Sequence, residues 1–399
     1  MPDGRNASMK SALASVLIVI GIVVAAFNLR PGVTGLSPLL GAMGSDIHLS
    51  ALFLAVIGML PPLLYGISGF ITPRLYNRFS GLTITAAVMI MITVGLGLRA
   101  IVDSPAVFLG LSVLALLGMG IGNVVIPPIV KSYFPDRVAL MSTVHVGLLQ
   151  LGTFIPPLVA VPLASKLEWR GSLLVWAAAA ALGVAAWVVI AVLRPAPRAQ
   201  VSAAVVGGNE LLRLVKTRRA WALMTMTGLT SFNNFILFTW LPTLLTRSGF
   251  DPVFAGAMLA LVTAIPLVLG FVLPFLAQKL RTASPIVAAF CGCLAAGYLG
   301  LWLFPTAAPV VWTVLLGIGI STFPLALTLI TLRSRSAEAS AALSGFVQGG
   351  GYLMAAAGPL VFAFLIQSFD TMWPAYAVVL ASTAVKLAVS FSACRPGSI

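Results

Sequence analysis

The chain is predicted to be an all-α membrane protein, with twelve transmembrane helices arranged as two pseudo-symmetric six-helix bundles. Three observations carry that expectation. Of 399 residues, 60% are hydrophobic and only 8% charged, with a mean hydropathy of +1.09, a composition that no soluble globular domain approaches. Apolar runs of about twenty residues, each long enough to cross a bilayer as a helix, recur along the whole chain. The second half also repeats marks of the first in the same order.

Spans are expected near residues 12–40, 50–73, 81–100, 105–130, 138–164, 171–193, 219–246, 253–278, 284–304, 309–332, 340–367 and 373–394. The first follows Lys10 as a signal peptide would, but the run is too long and lacks a small-residue cleavage site, so it is expected to stay in the mature protein. The longest hydrophilic interruption, residues 194–218, contains Pro195, Pro197, Gly207 and Gly208. It divides the spans six and six and reads as a cytoplasmic linker between an N-terminal bundle, 1–193, and a C-terminal bundle, 219–399.

A net charge of +14 would suggest nucleic acid as the partner of a soluble chain; here it is a topology signal, and no nucleic acid is expected. With the N-terminus inside, only Arg99, Lys166, Arg170 and Arg247 fall on the outer side, and Arg30 and Lys386 lie within spans. The rest of the 23 basic residues collect inside. This predicts a multi-pass protein of the cytoplasmic membrane with both termini cytoplasmic.

Internal repetition is the next signal. Leu116-Leu117-Gly118-Met119-Gly120-Ile121 recurs as Leu315-Leu316-Gly317-Ile318-Gly319-Ile320, while Ser142, Gly147 and Pro157 recur as Ser344, Gly349 and Pro359. Pro61 likewise matches Pro266. Two parallel repeats about an axis along the membrane normal imply a central site between them and rocking of the halves for alternating access.

Inside the first span lies Phe27-Asn28-Leu29-Arg30-Pro31. An arginine at bilayer depth costs about 2.5–3.5 kcal/mol on insertion scales and needs compensation. None of the nine acidic residues falls within a span, so the counter-charge of Arg30 is expected to be an anionic ligand. The competing reading is that Arg30 snorkels to headgroups or bonds the carbonyls that Pro31 leaves free.

These stretches, with Glu168-Trp169-Arg170-Gly171, Trp240-Leu241-Pro242, Phe323-Pro324-Leu325-Ala326-Leu327-Thr328-Leu329, Ala341-Ala342-Leu343-Ser344-Gly345, Gln348 and Gly358-Pro359, resemble the major facilitator superfamily, and in detail its cyanate and nitroimidazole porter family. The resemblance implies a secondary carrier of small anionic or nitro-substituted solutes, working without a cofactor. Two features depart from the pattern. The segment Pro73-Arg74-Leu75-Tyr76-Asn77-Arg78 has asparagine where the superfamily usually has an aspartate, and Ser231-Phe232-Asn233-Asn234 supplies amides where an aromatic residue is expected.

The superfamily lines its cavity with helices one, four, seven and ten, with five and eleven contributing. On that basis the solute-binding candidates beside Arg30 are Asn28, Asn123, Gln150, Asn233, Asn234, Thr322, Gln348 and Tyr352. The repeat maps Gln150 onto Tyr352, and these two are expected to face each other across the centre. For each, the bland alternative is an interhelical hydrogen bond.

His145 is the tempting proton-coupling group, being the one residue placed within a span that titrates near neutral pH. Five residues from Gln150, about 140° round a helix, it is expected to turn away if Gln150 faces the cavity. Lys386 is expected to snorkel or pack at the periphery. Cys291, Cys293 and Cys394 have no neighbours suggesting a metal site or disulfide. A membrane enzyme would need an acid, base or nucleophile constellation that these spans do not offer. The prediction is therefore a monomeric secondary transporter of a small anionic or nitro-substituted solute, coupled to protons; the alternative is a proton-driven exporter of neutral or anionic drug-like compounds.

Overall fold

The structure, a computed structural model, describes residues 4–44, 46–47, 49–193, 213–279, 282–334, 337–395 and 397. Most of the expected linker, with Arg194 and Arg198, lies outside the described residues, as do Arg281 and Arg335.

The first crossing is broken. Helix α1 (Gly4–Asn28) stops where Pro31 cannot donate, and α2 (Pro31–Thr34), a 3₁₀ turn (Ser37–Leu39) and α3 (Leu40–Met43) continue it. Then come α4 (Ala51–Tyr76), α5 (Gly81–Arg99), α6 (Pro105–Tyr133) and α7 (Val138–Leu193). The second half holds α8 (Arg218–Arg247), α9 (Pro252–Lys279), α10 (Ser284–Leu303), α11 (Pro309–Ile320), α12 (Thr322–Arg333), α13 (Ala337–Ser368) and α14 (Trp373–Ala393).

Ten described segments are long and apolar enough to cross a membrane. Two features reconcile that number with the twelve expected crossings. Helix α7 doubles back at Glu168 (φ 58°, ψ 171°), and Ser172 of its second limb donates to the Ala160 carbonyl of its first. Helix α8 has the length but not the hydropathy, because Thr227, Thr230 and Asn233 are buried along it; each satisfies itself on a carbonyl one turn back.

The strained turn at Glu168 is held by its neighbours. The Trp169 indole donates to Asp46 at 2.7 Å, and Arg170 bonds the Ala100 carbonyl and pairs with Asp103. In this way Glu168-Trp169-Arg170-Gly171 ties the fold-back to the α5–α6 loop.

The two halves meet along two seams, α4 against α13 and the first limb of α7 against α9. Both seams obey the repeat. Pro157 presents its carbonyl to Gly256, and its mate Pro359 packs on Gly58. These contacts lie toward the end of the molecule opposite the basic one, where Arg74, Lys131, Arg137, Arg218 and Arg333 sit. The 3₁₀ turn closes against α8 and α9 there as well. Helix α6 instead packs on α1, α4, α5 and α7, and α12 on α8, α9 and α13, each within its own half.

Two buried cations are found in the core. Arg99, expected on the outer side, is 2% exposed and donates to the Gly32 carbonyl (3.2 Å) and to Ser112. Lys386, expected at the periphery, is fully buried, with its amine 3.2 Å from the Gly319 carbonyl. In both cases the acceptor belongs to the last turn before a break in a crossing, Gly32 in α2 and Gly319 at the end of α11. A long cation filling such a break meets a carbonyl that the helix no longer uses, which outweighs snorkelling.

Candidate functional site

Arg30 stands at the break in the first crossing, with its backbone outside the helical region (φ −127°, ψ −33°). The Leu29 carbonyl accepts a hydrogen bond from the Tyr65 hydroxyl of α4 (3.2 Å), so this acceptor beside the break is satisfied by a tyrosine. The Arg30 guanidinium lies over the Tyr65 ring, 5.2 Å from its centroid, and within reach of the Tyr352 side chain of α13. No carboxylate pairs with Arg30 among the described residues; the ion pair described is Arg170 with Asp103.

Around this arginine a chain of rings crosses from one half to the other. Phe323 of α12 meets Tyr352 at 6.3 Å, Tyr352 meets Tyr65 at 6.0 Å, Tyr65 meets Phe235 of α8 at 6.5 Å, and Phe235 meets Phe238 at 5.7 Å. Phe235, Phe238 and Tyr352 pack into the core of the N-terminal half although they belong to the other. A small cavity continues from the rings away from the basic end, lined by Val33, Ser37, Gly58, Pro61, Phe235 and Phe238. A cation on aromatic faces, in a region without carboxylates, can take a planar anion by hydrogen bonds and stacking.

The candidates from sequence divide. Tyr352 joins the cluster. Asn234 is half-buried one turn before Phe238, with its Oδ1 unpartnered. Asn28 points elsewhere: it is 2% exposed and donates to the Val24 carbonyl and to Ala179 of α7's second limb. Asn233 likewise faces away, donating to Leu229 and to Ser382 of α14. The physical reason is shared, since adjacent residues on a helix differ by about 100°, so Asn28 next to a broken turn and Asn233 next to Asn234 cannot both face the centre with their neighbours. Thr322 donates to the Gly319 carbonyl within its own crossing. Asn123 bonds the Met119 carbonyl one turn back, Gln348 bonds Ser344, and all three of Asn123, Gln348 and Gln150 are half-buried.

His145 was expected to turn away only if Gln150 faces the cavity, and Gln150 is half-buried. His145 is buried and within electrostatic reach of Arg30. The register of α7 is set by Gly152, where an added Cβ would lie 2.3 Å from the Phe27 carbonyl oxygen and 3.4 Å from the Arg30 Cβ. Position 145 is seven residues, almost two full turns, before 152, so it shares the face that meets α1.

Sequence reasoning missed Tyr65, Phe235, Phe238 and Phe323. The aromatic residues sought at Ser231-Phe232-Asn233-Asn234 arrive one turn later. A tyrosine in mid-span, whose hydroxyl needs a partner, was the available signal for Tyr65.

The description "Major Facilitator Superfamily" matches residues 16–359. The chain belongs to the major facilitator superfamily. It is 28% identical to an uncharacterised transporter, YycB, of Bacillus subtilis (strain 168), across 99% of this chain and 96% of that one. It is also 29% identical to the 2-nitroimidazole transporter of Escherichia coli (strain K12), over 86% of each chain. The cyanate transport protein CynX of the same organism is 27% identical, over 86% of this chain and 87% of that one. Among solved structures, a bacterial homologue of the human lysosomal transporter Spinster, inward-facing and occupied, superposes with a TM-score of 0.72 at 14% identity, covering 94% of each chain. The nucleoside transporter NupG gives 0.71 at 13% identity, over 95% of this chain and 97% of that one. The fold is therefore the superfamily's, and this major facilitator protein is a multi-pass membrane transporter of small solutes, not an enzyme.

Proposed function

We propose that this transporter carries a small planar anion, or a nitro-substituted solute that presents similar oxygens, across the cytoplasmic membrane by alternating access, with both termini cytoplasmic and Arg30 as the group that recognises it. The observation that carries the reading is the state of Arg30. It has no carboxylate partner among the described residues, the Leu29 carbonyl beside it is already taken by Tyr65, and it sits on a ring chain shared by both halves. An arginine kept only to cap a broken helix would be bonded to that carbonyl. The names of two relatives, a nitroimidazole and a cyanate transporter, agree with such a solute.

The test measures affinity and stability together. Thermal shifts of purified protein are recorded with cyanate, benzoate, 2-nitroimidazole and tetraphenylphosphonium. The anions or the nitro compound should stabilise the wild type. Arg30→Lys should weaken that binding by roughly tenfold to a hundredfold, the loss of one charge-assisted hydrogen bond, and leave melting without solute nearly unchanged. Stabilisation by tetraphenylphosphonium alone, or unchanged affinity in well-folded Arg30→Ala protein, would overturn the proposal.

A further inference from the structure

We infer that His145 is the proton-carrying partner of Arg30: an anion that binds the guanidinium brings one proton onto the His145 imidazole, and the two cross the membrane together. This rests on Arg30 being the anion anchor. His145 is 5% exposed, and its Nδ1 has no hydrogen-bond partner. A buried polar nitrogen left open in a well-packed helix interface is rare unless something else occupies it part of the time. His145 lies almost two turns before Gly152, on the face of α7 that meets the first crossing beside Arg30, and within electrostatic reach of the guanidinium.

Among the described residues the surroundings contain nothing else that could answer for the charge. The break after α1 brings Arg30, α4 brings Tyr65 and α13 brings Tyr352. Helix α5 offers Arg99, already bonded to Gly32 near its far end. The ionisable residues of α6, Lys131 and Tyr133, sit at its basic end, as do Asp136 and Arg137 before α7 and Lys279 at the end of α9. Among the described acidic residues, Asp46, Asp103, Asp136, Glu168, Asp251 and Asp370 lie at turns or outside the long helices, and Glu338 is the second residue of α13.

The coupling is electrostatic. In a low-dielectric site a bare guanidinium opposes a second positive charge nearby, and an anion placed on it removes that opposition. Protonation makes one N–H bond, with the proton taken from water on one side and returned to water on the other. Guanidinium, imidazolium and a monovalent anion together have the same net charge as the empty site. Cotransport of one such anion and one proton therefore moves no net charge.

Sodium cyanate, sodium nitrate and sodium benzoate are titrated calorimetrically into the detergent-purified full chain, from pH 6 to 8, in two buffers of different ionisation enthalpy. Binding should take up protons, at most one per anion. Because the bound state then holds more protons than the free state, affinity must rise as pH falls, by up to about tenfold per pH unit. His145→Gln, checked for wild-type melting, should bind the same anion without proton uptake and without that slope. If wild-type protein binds an anion and takes up no proton, or if His145→Gln takes up as many, the inference falls while the anion reading stands. Where none of the three anions binds, the anion reading falls and the inference with it. The wild-type arm decides the matter even if the variant misfolds.

Discussion

Arg30 and Lys386 are both cations at membrane depth without a carboxylate partner among the described residues, and what answers each of them differs. The Lys386 amine is sealed in the C-terminal half against the Gly319 carbonyl, which marks it as structural. Arg30 is half-buried beside the hydroxyls of Tyr65 and Tyr352, and the Leu29 carbonyl next to it is capped by Tyr65 instead. This division of labour gives a prediction. Tyr65→Phe leaves the ring under the guanidinium but strips the donor from Leu29, and an unpaired buried carbonyl costs about 1–3 kcal/mol. Melting should drop by several degrees with affinity for the anion changed little, whereas Tyr65→Leu should lose affinity as well. Wild-type melting in Tyr65→Phe would mean that the Leu29 carbonyl has another donor.

At the level of elements, breaks and close approaches decide which side chains converge. The seams between the halves depend on two glycines. A Cβ at Gly58 would lie 2.7 Å from Thr239 and 2.8 Å from Pro359, and one at Gly256 would lie 2.6 Å from the Pro157 carbonyl oxygen. Gly58→Leu or Gly256→Leu should wedge the halves apart at the end away from the basic residues. With Cys291, Cys293 and Cys394 replaced, a Ser37→Cys probe, at a position 7% exposed, should then react faster with a membrane-impermeant maleimide. Equal labelling with and without the wedge would show that these contacts do not form the closure. The same kind of contact sets which way His145 faces. Counting round the helix from Gln150 assumed which face of α7 meets the centre, and Gly152 against α1 sets that face instead.

For the whole molecule, the basic residues predict orientation in the membrane. An exposed cysteine introduced at Thr306, in the loop between α10 and α11, should be labelled on intact cells by an impermeant maleimide. One at Asn77, at the basic end, should be labelled only after the cells are opened. The reverse pattern would invert the topology, and with it the side to which α6 and α12 part.

Composition, span length and the repeat were enough for the class of fold, because a bilayer imposes apolar length and because a duplicated bundle leaves matching prolines and glycines in order. Arg30 was legible for a related reason: a charge among apolar residues stands out on any scale, and the absence of acidic residues from the spans can be counted. The ring chain, the capping by Tyr65, the outward turn of Asn28 and Asn233 and the inward turn of His145 were decided by tertiary structure alone. Aromatic residues are ordinary in membrane helices, and which of them meet depends on where two crossings break and how closely glycines let the halves approach. Those are rotations of about 100° per residue, too fine for hydropathy to register.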